Sequence, residues 1–187
     1  MGSLFDKGGA AFNADRRYRY HLWRHEAAIG SQSLLRVVWI MVNPSSADES
    51  NDDPTMQSVV RISRAWGFCR LHVVNLFALR SPNVEDLLAD PDPIGGEAND
   101  RHILRAALDS RRVVLAWGSH AKVRALIGQR APHVLSIVRD ATRQRAAAGR
   151  DHDVGVLGIN SDGSPKHPLF LPKTTAFQPI DPARFAC

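Results

Sequence analysis

The chain has 187 residues, 44% of them hydrophobic and 23% charged, with two cysteines, Cys69 and Cys187. That suffices for one ordinary globular core, which at this size buries roughly 70% of the unfolded surface without metal or disulfide. Two cysteines exclude a disulfide scaffold and any four-cysteine zinc or iron–sulfur site.

Lys and Arg number 24 against 19 Asp and Glu, a formal charge of +5, and such a balance favours a polyanionic partner through counterion release. Arginine carries most of it, early at Arg16, Arg17, Arg19 and Arg24 and late at Arg139, Arg143, Arg145 and Arg150. A solvated basic surface without a partner is the plainer alternative. The first seven residues lack the apolar core of a secretory signal, and no run of about 18 apolar residues could span a membrane. The chain reads as a soluble, cytoplasmic, bacterial-type protein of one domain, residues 1–187, with 1–15 as a flexible N-terminal segment.

In chain order, residues 18–23 alternate apolar and polar, as a half-buried or edge strand does, and Gly30-Ser31 marks a turn. Residues 34–42 are nearly all apolar and β-branched, the pattern of a strand buried on both faces. Asn43-Pro44-Ser45-Ser46 ends it. Asp53-Pro54 opens a helix as N-cap and first-turn proline; Met56, Val59, Val60, Ser63 and Trp66 follow at helical spacing, and Gly67 closes it. Residues 71–77 form a second buried strand. A polar loop, 80–97, leads to a helix with Ile103, Leu104, Ala107 and Leu108 on one side. Residues 113–117 form a third strand ending at Gly118-Ser119-His120, where Ser119 is placed to cap a helix from His120 to about Gln129. Residues 134–138 resemble a fourth short strand or the start of a connection, and 143–153 a loop or frayed helix. Residues 154–158 form a last strand before the turn-rich loop 160–168.

Apolar strands alternating with amphipathic helices imply an α/β fold, three layers α/β/α around a mainly parallel sheet. Sites in such sheets lie outside the carboxyl ends of the strands, so Asn43, Asn75, Ser119-His120 and His167 stand out. Asn75 interrupts an apolar strand, where an unsatisfied amide is costly; it either bonds a neighbouring loop or reads a base edge offering a donor beside an acceptor. His167 is either a surface histidine or a neutral donor for charge developing on a bound ring. Asp48, Asp52 and Asp53 offer oxygen ligands of the kind magnesium takes. Yet the loop fails the calcium pattern, no later strand ends in a partner carboxylate, and Asp53 already caps a helix. No phosphate loop, dinucleotide fingerprint or nucleophile elbow follows any strand.

Four segments in order resemble the uracil-DNA glycosylase superfamily, over about residues 37–171. Ile40-Met41-Val42-Asn43-Pro44 is similar to its first motif, a strand ending in Asp-Pro or Asn-Pro. Val73-Val74-Asn75 is similar to the strand bearing its base-reading amide, Leu115-Ala116-Trp117-Gly118-Ser119-His120-Ala121 to its Leu-Leu-Trp-Gly-x-x-Ala turn, and His167-Pro168 to the start of its His-Pro-Ser-Pro-Leu loop. The whole chain also closely resembles a bacterial and phage family known only as a domain of unknown function. Trp39-Ile40-Met41-Val42-Asn43-Pro44-Ser45, Asp53-Pro54-Thr55, Trp66-Gly67, Val74-Asn75-Leu76-Phe77-Ala78-Leu79-Arg80 and His167-Pro168-Leu169 carry that likeness.

The glycosylase resemblance implies a glycosylase-like fold and hydrolysis of an N-glycosidic bond in nucleic acid, DNA by preference, without a cofactor or metal. Asn75 would read the flipped base, with Phe77 the nearest stacking aromatic. His167 would hydrogen-bond the departing base, and Asn43 would place water. Ser119, His120, Lys173 and the backbone near Pro44 would hold the nucleic acid, and Leu171 would fill the gap a flipped base leaves. Asn43 stands where the most active glycosylases have an aspartate. Ser45 replaces an aromatic that would exclude a 5-substituent, so an enlarged or modified base fits the reading. Leu169-Phe170 replaces the small phosphate-gripping residues of the last motif. The rival reading is a nucleic-acid or nucleotide binding module that has lost chemistry; the least favoured is a metal-dependent phosphoesterase using Asp48, Asp52 and Asp53.

Overall fold

The computed structural model describes residues 7–25 and 35–185. The turn at Gly30-Ser31, the first residue of the 34–42 run, most of the N-terminal seven residues and Cys187 lie outside the described residues. Residues 7–12, assigned above to a flexible segment, form strand β1 (Lys7–Phe12).

Seven strands form one sheet among the described residues, in the order β1-β2-β4-β3-β5-β6-β7. They are β1, β2 (Arg19–His25), β3 (Arg36–Met41), β4 (Arg70–Asn75), β5 (Arg112–Leu115), β6 (Asp153–Val156) and β7 (Gln178–Pro179). The four central strands β4, β3, β5 and β6 run parallel. The flanks do not: β1 with β2, β2 with β4 and β6 with β7 pair antiparallel. The fold is therefore α/β with a mixed sheet, which corrects the expectation of a mainly parallel one. A buried apolar run reports burial on both faces but not strand direction, and β2 and β7 carried no directional signal. Nor is β2 an edge, because β1 covers its outer side.

Side-chain alternation along β3 sorts the core into two halves. Val37, Trp39 and Met41 face one side, where helix α1 (Pro54–Ala65) brings Met56, Val59, Val60 and Ile62. Val38 and Ile40 face the other, against Ile103 and Ala107 of α3 (Gly96–Asp109) and Val134, Leu135 and Val138 of α4 (Arg124–Ala147). A short α2 (Asp86–Ala89) interrupts the polar loop before α3. Helix α1 forms as the sequence indicates: the Asp53 carboxylate accepts the Met56 N–H at 2.8 Å, and Pro54 occupies the first turn. Its seating is fixed by Trp39, which donates Nε1–H to Ser63 Oγ at 2.9 Å and stacks on Trp66, the ring planes 1° apart.

Two expectations fail on the far side. Residues 134–138 are helical, part of the 24-residue α4. Ile127, Ala131, Val134, Leu135, Val138 and Ala141 repeat every three to four residues and all face the core, whereas a five-residue apolar window cannot separate strand from buried helix. Ser119 is no cap either: a 3₁₀ turn, Ala121–Val123, intervenes, and α4 begins without a side-chain cap.

One close contact shows how β7 is held. A Cβ on Gly155 of β6 would lie 2.3 Å from the Gln178 carbonyl oxygen and 2.5 Å from the Phe177 ring. Gly155→Ala is expected to push β7 away and destabilise the protein by about 1–3 kcal/mol, measured as a shift in urea midpoint. An unshifted midpoint would mean that β7 contributes nothing to global stability.

Candidate active site

The parallel strands end on one edge, so the segments leaving β3, β4, β5 and β6 converge there. A pocket of about 330 Å³ opens at that edge, within the size range of small-ligand sites. Asn43 follows β3, Asn75 ends β4, His120 follows β5 and His167 follows β6, and all four line it, with Ser45. The strand-end reasoning thus brings together Asn43, Ser45, Asn75, His120 and His167.

Asn75 is 2% exposed, and its Oδ1 has no hydrogen-bond partner. An unmet buried acceptor costs about 1–3 kcal/mol, so a ligand N–H facing it would relieve that cost. The backbone beneath is held rigidly from behind. Asn99 of α3 donates from Nδ2 to the carbonyls of Asn75 and Leu76, both at 3.1 Å, and Arg130 of α4 donates from Nε to the Leu76 carbonyl at 2.9 Å. These two buried polar residues escaped sequence reasoning; their only signal was polarity on the inward face of a helix.

His167 is set as a neutral donor. Its Nδ1 accepts the Leu169 N–H at 3.2 Å, which leaves the ring proton on Nε2. Burial, with a smaller contribution from the His120 charge, lowers its pKa to about 4. Gly118, in a left-handed conformation at φ 78°, permits the approach: a Cβ there would lie 3.0 Å from His167 Cβ. Its N–H donates to the Pro165 carbonyl at 3.0 Å, tying the turn after β5 to the histidine loop. His120 Nε2 donates to the Trp117 carbonyl at 2.9 Å.

Asn43 has its amide committed. Nδ2 donates to the Ser81 carbonyl at 2.9 Å and the Pro44 carbonyl at 3.1 Å, so Oδ1 is the atom left to accept. That geometry explains why an amide suits the position: a carboxylate would replace the donating Nδ2 by an anionic oxygen facing the two carbonyls. Asn43→Asp is expected to destabilise the fold by about 1–3 kcal/mol at pH 7. The gap to wild type should narrow in acid, where a protonated carboxyl donates again. Paired denaturation curves at pH 7 and pH 4.5 check this, and equal stability at pH 7 would refute the assignment of the amide.

Other expected residues lie elsewhere. Phe77 is fully buried in the α3–α4 half of the core, not in the pocket; β4 ends at Asn75, and beyond it the strand alternation no longer applies. Phe, Tyr and Trp are absent from the lining, whose apolar wall includes Leu22, Met41, Met56, Val73 and Val84. Ser119 is exposed outside the pocket and donates to the Asp162 carboxylate, which also accepts from Ser164 and Arg124. Those bonds hold Asp162 well below the usual carboxylate range, and a fixed negative charge there opposes a phosphate. Pro44 is buried with its carbonyl taken by the Ser81 N–H at 2.9 Å, and Lys173 is exposed outside the lining. Leu171 packs on the α1 half of the core, its carbonyl accepting from Arg61 at 3.0 Å. Phe170 beside it is 91% exposed, at φ 69°.

The basic surface is smaller than the composition suggests. Arg19, Arg24 and Arg145 are buried, while Arg16, Arg17 and Arg143 pair with Glu49, Asp90 and Asp140. Arg24 binds the Asp52 carboxylate at 2.7 Å and the carbonyls of Asp48 and Asn51 at 2.6 and 3.2 Å, stapling the loop after β3 to β2. Asp48 folds back on the N–H groups of Ser50 and Asn51. The carboxylates of Asp48 and Asp52 are thus occupied in structure, and no group of three or more His, Cys, Asp or Glu suited to a metal occurs among the described residues. No described helix is long and apolar enough to cross a membrane.

The structure is that of an α/β protein with a largely polar pocket at the carboxyl edge of its parallel strands. A family model described as a protein of unknown function, DUF1643, matches residues 19–169, and the chain belongs to that family. The matched span runs from β2 to the histidine loop and so contains Asn43, Asn75 and His167. No curated protein and no solved structure matches the chain significantly.

Proposed function

We propose that this pocket receives a base turned out of a nucleic-acid strand, DNA by preference, and hydrolyses its N-glycosidic bond. The sequence resemblance to the uracil-DNA glycosylase superfamily motivates the reading, and helices on both sheet faces are compatible with that superfamily's three-layer fold. The observation that carries it is His167: a half-buried, neutral imidazole with its proton on Nε2, sharing one pocket with the unpartnered Oδ1 of Asn75. Cleaving the bond builds negative charge on the leaving base, and a fixed donor is worth most where charge develops. Asn75 accepts from a base N–H and so selects bases that carry one. Asn43 orients water through Oδ1. Ser45 leaves room for a substituent on the base. Phe170, exposed beside the histidine loop, takes the gap-filling part first assigned to Leu171, because Leu171 is half-buried against the α1 half of the core.

A second reading, a binding module without chemistry, is favoured by one observation: the amide at Asn43 cannot accept a proton. The test is a screen of single- and double-stranded oligonucleotides bearing varied bases for abasic-site formation, with and without chelator. Chelator-resistant cleavage of one base class supports the glycosylase. Binding without cleavage transfers the case to the module, and chelator-sensitive phosphodiester cleavage would overturn both.

A further inference from the structure

We propose that Asp53, at the mouth of α1, is the carboxylate that takes the proton from the attacking water; this rests on the glycosylase reading above. Asp53 is the single acidic residue in the pocket lining. One of its oxygens, Oδ1, is fixed by the Met56 N–H at 2.8 Å, which immobilises the group and leaves Oδ2 available. Its charge acts on two other lining residues, Arg19 and His167.

A capping aspartate is ordinarily explained by its helix alone, but this pocket carries independent signs of a ligand. Asn75, 2% exposed, offers an unpartnered Oδ1. Arg19 is 4% exposed, has an unpartnered Nε, binds only the Ala47 carbonyl through Nη1 at 2.6 Å, and makes no carboxylate ion pair among the described residues. A buried cation without a partner is costly. Burial lowers its pKa to about 10, against the opposing pull of Asp53. The pocket therefore holds one negative and one positive charge, each without a direct ionic partner, and bond cleavage creates a cationic sugar and an anionic base.

The step balances as follows. The C1′–N bond breaks and its electron pair departs with the base, which accepts a hydrogen bond from His167 Nε2–H. Water, oriented by Asn43 Oδ1, forms the new C1′–O bond. Its released proton passes to Asp53 Oδ2, and from there to solvent. Asn43 cannot fill that role, because a carboxamide is not a base and its Oδ1 can only accept a hydrogen bond from the water.

The test separates catalysis from capping. Asn and Ser cap helices as well as Asp does, so Asp53→Asn and Asp53→Ser should keep α1 and the fold, with a loss of melting temperature limited to the weaker compensation of Arg19. Each should nevertheless slow single-turnover cleavage of any substrate found by about 100- to 10,000-fold, the usual range for a lost acid–base group. A binding measurement covers the case in which no substrate is found. Duplexes carrying a pyrrolidine abasic analogue, cationic at the sugar, are compared with the neutral tetrahydrofuran analogue. Wild type should prefer the cationic duplex by about tenfold or more, equivalent to 1.4 kcal/mol, and both variants should lose that preference. Equal binding of the two duplexes by wild type, or an undiminished preference in the variants, overturns the assignment while leaving the glycosylase reading intact. Failure to bind either duplex sinks that reading and the Asp53 assignment with it.

Discussion

His167→Ala should reduce turnover about 100- to 1,000-fold, the usual cost of one donor aimed at developing charge, with nucleic-acid affinity nearly unchanged. The donor meets little charge in the bound substrate and much more as the base departs, so its loss falls on the chemical step. The protonation state sharpens the expectation. Burial holds this ring's pKa at about 4, so it stays neutral from pH 8 down to pH 5. No inflection of the rate near pH 6.5 should therefore come from His167. Below about pH 4 a second proton would land on Nδ1, expel the Leu169 N–H and release the ring from its loop. Single-turnover rates across pH, beside binding constants for wild type and variant, decide the matter. Loss of affinity equal to the loss of rate would make His167 a binding residue instead. Asn75→Ala, in contrast, should blur the choice of base.

The fold itself should weaken steeply in mild acid. On the paired strands β2 and β4, His21 Nε2 and His72 Nδ1 lie 2.8 Å apart, and His25 Nε2 approaches His72 Nε2 at 3.4 Å. Burial is the main cause lowering His72 to about 2 and His21 to about 4, with neighbouring histidine charges adding to it. Burial also brings His152 to about 4. Unfolded histidines titrate near 6.5. Below that pH the unfolded chain takes up protons that the folded chain refuses, so stability falls as the pH drops from about 6.5 toward 4. Each histidine kept neutral contributes a slope of about 1.4 kcal/mol per pH unit in that window. Calorimetric unfolding at pH 5.5 in buffers of different ionisation enthalpy should register uptake of about three to four protons, because His167 adds to His21, His72 and His152. His72→Gln should reduce that uptake by about one. Proton uptake near zero would show that these rings are already charged in the folded state.

Asn43, Asn75 and His167 were legible as neighbours in one pocket because a polar residue closing an apolar run is conspicuous, and because parallel strands deliver their ends to one place. It gave no access to the other half of the pocket. Arg19 and Arg24 looked like surface charge, since composition does not say which way a strand residue points; both turn inward from β2 onto the loop after β3. Asp53 was legible as a cap but not as a pocket residue, because capping is local and the pocket is assembled from distant segments. Phe77 and Ser119 were misplaced for a related reason: proximity in sequence to a strand end does not determine the side-chain direction once the ladder stops. Residues 134–138 were too short an apolar run to reveal a 24-residue helix.

The position of β2 has a consequence for how the protein breathes. Together β1 and β2 form an antiparallel hairpin laid against β4, outside the parallel strands that carry most of the core. Partial opening at a sheet margin costs less free energy than global unfolding. Here such an opening would not be silent, because Arg19 and Arg24 would leave with the hairpin and release the segment from Ala47 to Asp52. One wall of the pocket and the hairpin margin of the sheet should therefore exchange with solvent as a unit. Amide protons of β2 measure how often the site is dismantled, while those of β3 and β5 measure only how often the whole molecule is.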